Sequence, residues 1–277
     1  MGKYSKDLFN RISTRGPEKG YCVICGDYGA LTRDHVPPKG CNNLDDRSIR
    51  SWVCHFTGQG PVTYSQKGTH YKTICGYCNN TRLGSEYDPA LVEISNEITE
   101  IIKLAATSKI EFPETIDRDV KTQRVAKSLV GHILAGASIS EVSAPPKSAE
   151  VLDAFREYVL SPSKPMPDKL EIYYWTYPYK KQVLVRFFSK TRLNAKYAIL
   201  GSVLKFHPFG FWLVWDKPKG FKINLPILVR DKSNTEECRK LRFELSNGFP
   251  HDFPEAPQSD EVTMIDKDMA VVSEPKK

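Results

Sequence analysis

The residues best suited to chemistry fall within one stretch, 22–83. Cys22-Val-Ile-Cys25 and Cys75-Gly-Tyr-Cys78 are two Cys-x-x-Cys pairs; Asp34-His35-Val36-Pro37-Pro38 lies between them, and Asn79 follows the last cysteine directly. A two-residue spacer forms a knuckle that aims both sulfurs at one ion, so Cys22, Cys25, Cys75 and Cys78 can supply four thiolates to a tetrahedral Zn²⁺. A redox dithiol or unrelated buried cysteines are the competing readings, and neither explains why both pairs flank the same polar motif. The long gap from Cys25 to Cys75 is tolerable because closure entropy grows only logarithmically with loop length. Cys41, Cys54 and His55 do not repeat the knuckle spacing and read as core or loop residues. An imidazole with an ordinary pKa near ~6.5 suits proton abstraction at neutral pH, and carboxylate and amide oxygens suit a hard divalent cation.

The order of these pieces, Cys-x2-Cys, Asp34-His35-x-x-Pro, then Cys-x2-Cys-Asn79 with a basic residue and Gly84 beyond, resembles the HNH endonuclease family, whose ββα-metal motif sits on a treble-clef zinc scaffold. The resemblance covers about residues 21–87. It implies that His35 is the general base that activates water. It implies also that Asp34 and Asn79 hold one Mg²⁺ or Mn²⁺ that offsets charge in the pentacovalent transition state. The motif's middle Asn, which braces the loop bearing the base, falls at His70. A histidine there can donate one hydrogen bond to a backbone carbonyl in its place, or serve as an extra metal ligand. Arg33, Lys39, Lys67, Lys72 and Arg82 lie within the motif and are the candidate phosphate contacts.

The implied function is metal-dependent hydrolysis of phosphodiester bonds in nucleic acid, with DNA the expected polymer and a phage-defence or mobile-element role the family analogy. The alternative is a zinc-dependent nucleic-acid-binding or adaptor module without chemistry. A third reading is an effector held inactive by a regulatory protein partner, with the C-terminal part as the dock; a homo-oligomer is the other assembly to test.

Composition agrees with an anionic partner. The chain of 277 residues carries 40 Lys plus Arg against 33 Asp plus Glu, a net +7, and residues 250–277 hold seven acids and three lysines, so the body before them is more basic than the whole. Seven cysteines, an odd number, with four in Cys-x-x-Cys pairs and no apolar N-terminal run, favour a reduced cytoplasmic setting over a disulfide framework. No apolar run approaches the ~20 residues of a membrane-spanning helix, so a soluble protein is expected.

The elements that must position these residues give an α+β chain in four parts. Residues 1–87 are the zinc-binding HNH module, with a basic arm (Lys3, Lys6, Arg11, Arg15, Lys19), strands over 30–35 and 71–74, a helical start over 79–86, and an insert at 39–69 without periodicity. Residues 88–167 are a helical region. Asp88-Pro89 starts the first helix with Asp88 as N-cap. A second helix is expected from Arg118 to Ile139, with Lys121, Arg124 and Lys127 off its apolar stripe and His132 a satisfied interfacial histidine. A third helix is expected over 147–160. Residues 168–249 alternate as about five antiparallel strands, at 170–177, 182–189, 197–206, 211–216 and 221–228. The aromatic run Tyr173 to Tyr179 reads first as a half-buried strand. Residues 250–277 read as an acidic, flexible tail.

Overall fold

The computed structural model describes residues 16–107, 109–229, 234–245, 249–257, 259–266 and 269–276. Lys3, Lys6, Arg11 and Arg15 of the expected arm lie outside these residues. Along the chain run β1 (Lys19–Tyr21), β2 (Tyr28–His35), β3 (Arg47–Ser51), the short helix α1 (Trp52–Thr57), β4 (Thr63–Ser65), β5 (His70–Cys75), a π-helix (Tyr77–Tyr87), α2 (Asp88–Ala106), β6 (Thr115–Val120), α3 (Thr122–Ala135), a 3-10 turn (Ile139–Ser143), α4 (Glu150–Leu160), β7 (Leu170–Thr176), β8 (Gln182–Arg192), β9 (Ile199–Phe206), β10 (Phe209–Trp215), β11 (Arg239–Glu244), β12 (Glu261–Ile265) and β13 (Ala270–Pro275). The class is mixed α+β with antiparallel sheets. No helix among the described residues is long and apolar enough to cross a membrane.

Three sheets form. A small one runs β1-β2-β5, a two-stranded one pairs β6 with β11, and a large one runs β4-β3-β13-β8-β9-β10-β7 with β12 paired to β8. The strands β7 to β10 of the large sheet are buried on both faces, which is why they read as nearly continuous apolar runs. Leu170, Ile172, Tyr174, Leu204, Phe211 and Leu213 face the main core, and Tyr173, Trp175, Val183, Val203, Trp212 and Val214 face a second one. Tyr173, Tyr174, Trp175 and Tyr177 are therefore core on both faces rather than half-buried, while Tyr179 is exposed beyond the strand.

The main core is continuous from Cys22 to Phe243, and α3 lies in it. Every residue of α3 except Arg124 is buried, against α2, α4, the π-helix, β5, β8 and β9. A helix enclosed on all sides has no solvent face for charges. Lys127 is accordingly buried, not displayed off a stripe: Nζ donates to the carbonyls of Tyr158 (2.6 Å), Ser161 (2.8 Å) and Lys164 (2.9 Å) and tethers the end of α4 to α3. Lys127→Met removes the donor and orphans three acceptors. Unfolding in urea is expected to show a loss of about 2–4 kcal/mol, and an unchanged midpoint would refute the tether.

Other sequence expectations change. Thr115–Val120 pairs as a strand with β11, so the second helix begins at Thr122 and ends at Ala135. Residues 221–228 form no strand; they make one bridge, from Ile227 to Tyr173 just after Pro226, because proline supplies no ladder donor. Asp88 is the first residue of α2, continuing from the π-helix, and does not cap it. The insert at 39–69 carries β3 and β4 into the large sheet.

The largest correction concerns residues 250–277. They are not a loose tail, because β13 sits between β3 and β8 and buries Ala270, Val271 and Val272. Buried lysines hold the segment before it. Lys205 Nζ meets Glu255 at 2.5 Å and donates to the carbonyls of His251 (2.7 Å) and Phe253 (3.0 Å), and Lys190 donates to that of Pro254 (3.0 Å). Dense acids and prolines conceal two short runs that fit an edge and a gap in the sheet.

Candidate functional site

The four cysteines come together. Cys22 and Cys25 lie in the turn between β1 and β2, Cys75 ends β5, and Cys78 opens the π-helix. Their sulfurs all lie within 4.8 Å of one another, with Cys25 and Cys75 at 3.8 Å. Sulfurs placed tetrahedrally at ~2.3 Å from one ion stand about 3.8 Å apart, so the set fits a metal such as zinc. Cys22 and Cys78 are buried and Cys25 and Cys75 half-buried. A hydrogen bond from Cys78 pulls Cys22 down to about 5, whereas burial pushes Cys25 up. Thiolates this close need a shared cation to balance their charge.

A second site lies a few residues away. Asp34, His35 and Asn79, from β2 and the π-helix, line one cavity of about 440 Å³ together with Arg33, Lys39, Gly84 and Asp88. Pairing of β2 with β5 slips by one residue between Thr32 and Asp34. Two residues of β5, Lys72 and Thr73, thus face the single Arg33 of β2, and on β2 Asp34 is buried like Leu31 while Arg33 is exposed. Beyond Asn79, the π-helix sets Gly84 five residues on, at the same cavity, as its i to i+5 pitch dictates.

His35 is oriented by its own backbone surroundings. Nε2 lies 2.9 Å from the carbonyl oxygen of Lys67. A carbonyl only accepts, so Nε2 carries the proton and Nδ1 keeps its lone pair. Asn79 is fixed in the same way: Nδ2 donates to Thr32 Oγ1 (3.0 Å) and to the Arg33 carbonyl (2.8 Å), and no hydrogen bond among the described residues engages Oδ1.

Asp34 is 3% exposed, and Oδ2 lies 3.1 Å from Nδ1 of His132 on α3. Nε2 of the same ring lies 3.0 Å from Asp88 Oδ1, which also accepts from Ser128 Oγ at 2.7 Å. Both nitrogens of His132 thus face carboxylates. Burial opposes a charge on the ring, but Asp88 and Asp34 outweigh it and raise His132 to about 10. Burial raises the Asp34 carboxyl, and His132 works against the rise.

His70 lies against the loop that carries the Lys67 carbonyl. Nδ1 lies 3.3 Å from the Gly68 carbonyl and 3.4 Å from Ser65 Oγ, next to the Lys67 carbonyl that receives His35. Its ring is 5.5 Å from that of His35. Burial, then the nearby His35, lowers His70 to about 4. A lowered histidine takes up its proton more readily unfolded, so wild-type stability should fall as pH drops from about 6.5 towards about 4. His70→Asn keeps a donor and cannot titrate, so its denaturation midpoint should lose that part of the pH dependence; parallel pH profiles would refute the assignment.

Asn43, which no spacing flagged, holds the same loop. It is fully buried and donates to the carbonyls of Pro37 (2.7 Å) and Thr69 (2.9 Å), while its Oδ1 accepts from the Thr69 N–H (2.9 Å). Gly68 crosses this loop with φ +96, and a Cβ there would stand 2.1 Å from the Asn43 carbonyl oxygen. Behind it, Thr69 Oγ1 meets Ser273 Oγ of β13 at 2.7 Å.

The candidate phosphate contacts divide. Arg33 and Lys39 are exposed and line the cavity, and Lys67 is exposed on the loop. Lys72 pairs with Glu18 at 2.8 Å, and Arg82 pairs with Glu86 at 2.6 Å and bonds Tyr77 Oη, so those two are engaged away from it. A roomier cavity of about 660 Å³, beside Tyr174, Arg242 and Phe243, shares none of these residues. Compared with models of known families, with curated proteins and with solved structures, the chain finds no match.

Proposed function

We propose that the chain is an HNH-type endonuclease that hydrolyses phosphodiester bonds in DNA, with a structural zinc at Cys22, Cys25, Cys75 and Cys78. The observation that carries this reading is His35, whose Nε2 is committed to the Lys67 carbonyl while no hydrogen bond among the described residues engages Nδ1, in a cavity that Asp34 and Asn79 also line. Nδ1 takes the proton of the attacking water, and the Lys67 carbonyl stabilises the charge that the ring gains. A Mg²⁺ or Mn²⁺ fits the uncommitted oxygens of Asp34 and Asn79, where it would neutralise charge on the phosphate and the departing 3′ oxygen. Arg33 and Lys39 hold the phosphates beside the scissile one.

Purified zinc-loaded protein should nick or linearise plasmid with Mg²⁺ or Mn²⁺, and His35→Ala should stop cleavage with zinc and fold intact. Equal cleavage by both would remove His35 from the reaction. Salt-sensitive binding with no divalent-dependent cleavage of any nucleic acid would make the chain a binding or adaptor module instead.

A further inference from the structure

We propose that His132 and Asp88 are positioning residues for the divalent-cation site: a carboxylate–imidazole–carboxylate chain through the core that fixes which oxygen Asp34 presents to the cavity. The proposal rests on the nuclease reading and extends it to residues outside the motif, on two helices that the motif does not contain.

Asp34 needs such support because of where it is. A carboxylate 3% exposed and close to the main core has almost no water to orient it, and a free rotation of its carboxyl would swap a usable oxygen for an enclosed one. The bond from His132 Nδ1 to Oδ2, at 3.1 Å, removes that freedom and leaves Oδ1 without a hydrogen bond among the described residues. His132 cannot turn either. Its ring is wholly enclosed in α3, and the other nitrogen is held by Asp88 at 3.0 Å. Asp88 is anchored in turn by Ser128 Oγ at 2.7 Å, one helical turn before His132 on the same helix. Four side chains from β2, α2 and α3 therefore share one orientation.

Outer partners of metal ligands commonly alter affinity by about 10–100-fold when removed, because the ligand loses its preset orientation. A histidine kept only to satisfy core polarity would not do this: its loss would lower stability and leave cation affinity alone.

The test is Mn²⁺ binding to the zinc-loaded, DNA-free full chain, followed by titration calorimetry and by the electron paramagnetic resonance signal of free Mn²⁺. Asp34→Ala serves as reference. Asp88→Asn is the informative variant, since it keeps shape and an acceptor oxygen at a partly exposed position and should fold. It is expected to weaken Mn²⁺ binding about tenfold or more, with cleavage recovering at higher Mn²⁺ rather than lost outright. His132→Gln should weaken binding further, and Ser128→Ala less. Unchanged Mn²⁺ affinity in Asp88→Asn and His132→Gln, with binding abolished in Asp34→Ala, would overturn the positioning role and leave the nuclease reading standing. Mn²⁺ binding that Asp34→Ala does not alter would overturn both.

Discussion

His35→Ala is expected to lower divalent-dependent cleavage by about 10²–10⁴-fold, the range that a positioned general base contributes. The loss should fall on turnover if His35 is the proposed base, since that role acts on the attacking water and not on the groups that bind the polymer. Salt-dependent DNA affinity should stay within a factor of a few, since Arg33 and Lys39 remain at the cavity rim. The melting temperature should move little, for the ring is half-exposed and among the described residues makes one hydrogen bond, to the Lys67 carbonyl. A variant that loses binding together with turnover would place His35 in substrate recognition rather than proton transfer. Plasmid nicking timed under single-turnover conditions, beside a filter-binding measurement, separates the two.

Removing the metal proposed at Cys22, Cys25, Cys75 and Cys78 should have the largest effect on stability. Structural zinc sites contribute about 10–16 kcal/mol of apparent binding free energy, comparable to or above the whole stability of a domain, about 5–15 kcal/mol. Cys22, Val23, Ile24, Cys78 and Leu83 belong to the same buried cluster as α2, α3 and α4, so the damage should spread into the helices. Strong chelation, or Cys22→Ser, should abolish cooperative thermal unfolding of this core and release one zinc per chain. Cys25→Ser, at a half-buried position, should be milder because water can reach the weakened site. Metal analysis by mass spectrometry and calorimetry read both quantities. A variant that keeps full zinc and an unchanged melting temperature would show that the cysteines hold no structural ion.

What the sequence made legible was local. The Cys-x-x-Cys knuckles, the Asp34-His35 pair and Asn79 depend on neighbours within a few positions, and the fold unites them in the expected places. The residues that hold them are not local. His132 lies 98 positions from Asp34, on a helix buried all round, where no periodic stripe marks one face as special. Asn43 sits in an insert without periodicity, and its three bonds join the segments at Pro37 and Thr69, which are 32 positions apart in the chain. Lys127 looks like a surface lysine until three carbonyls close on it. Strand β13 was concealed by composition: acids and prolines around it suggest a solvated tail, yet Ala270-Val-Val-Ser fills a gap that β3 and β8 leave between them.

The place of β13 also sets a schedule. It is the last of the described strands, and Ser273 on it meets Thr69, which backs the turn where the Lys67 carbonyl receives His35. A ribosome adding about 5–20 residues per second takes tens of seconds to pass from His35 to Ser273. Throughout that interval His35 has been made but the loop whose carbonyl accepts from it lacks the contact between Thr69 and Ser273. On the nuclease reading proposed above, the loop that orients His35 would gain its last support only once β13 had been threaded between β3 and β8.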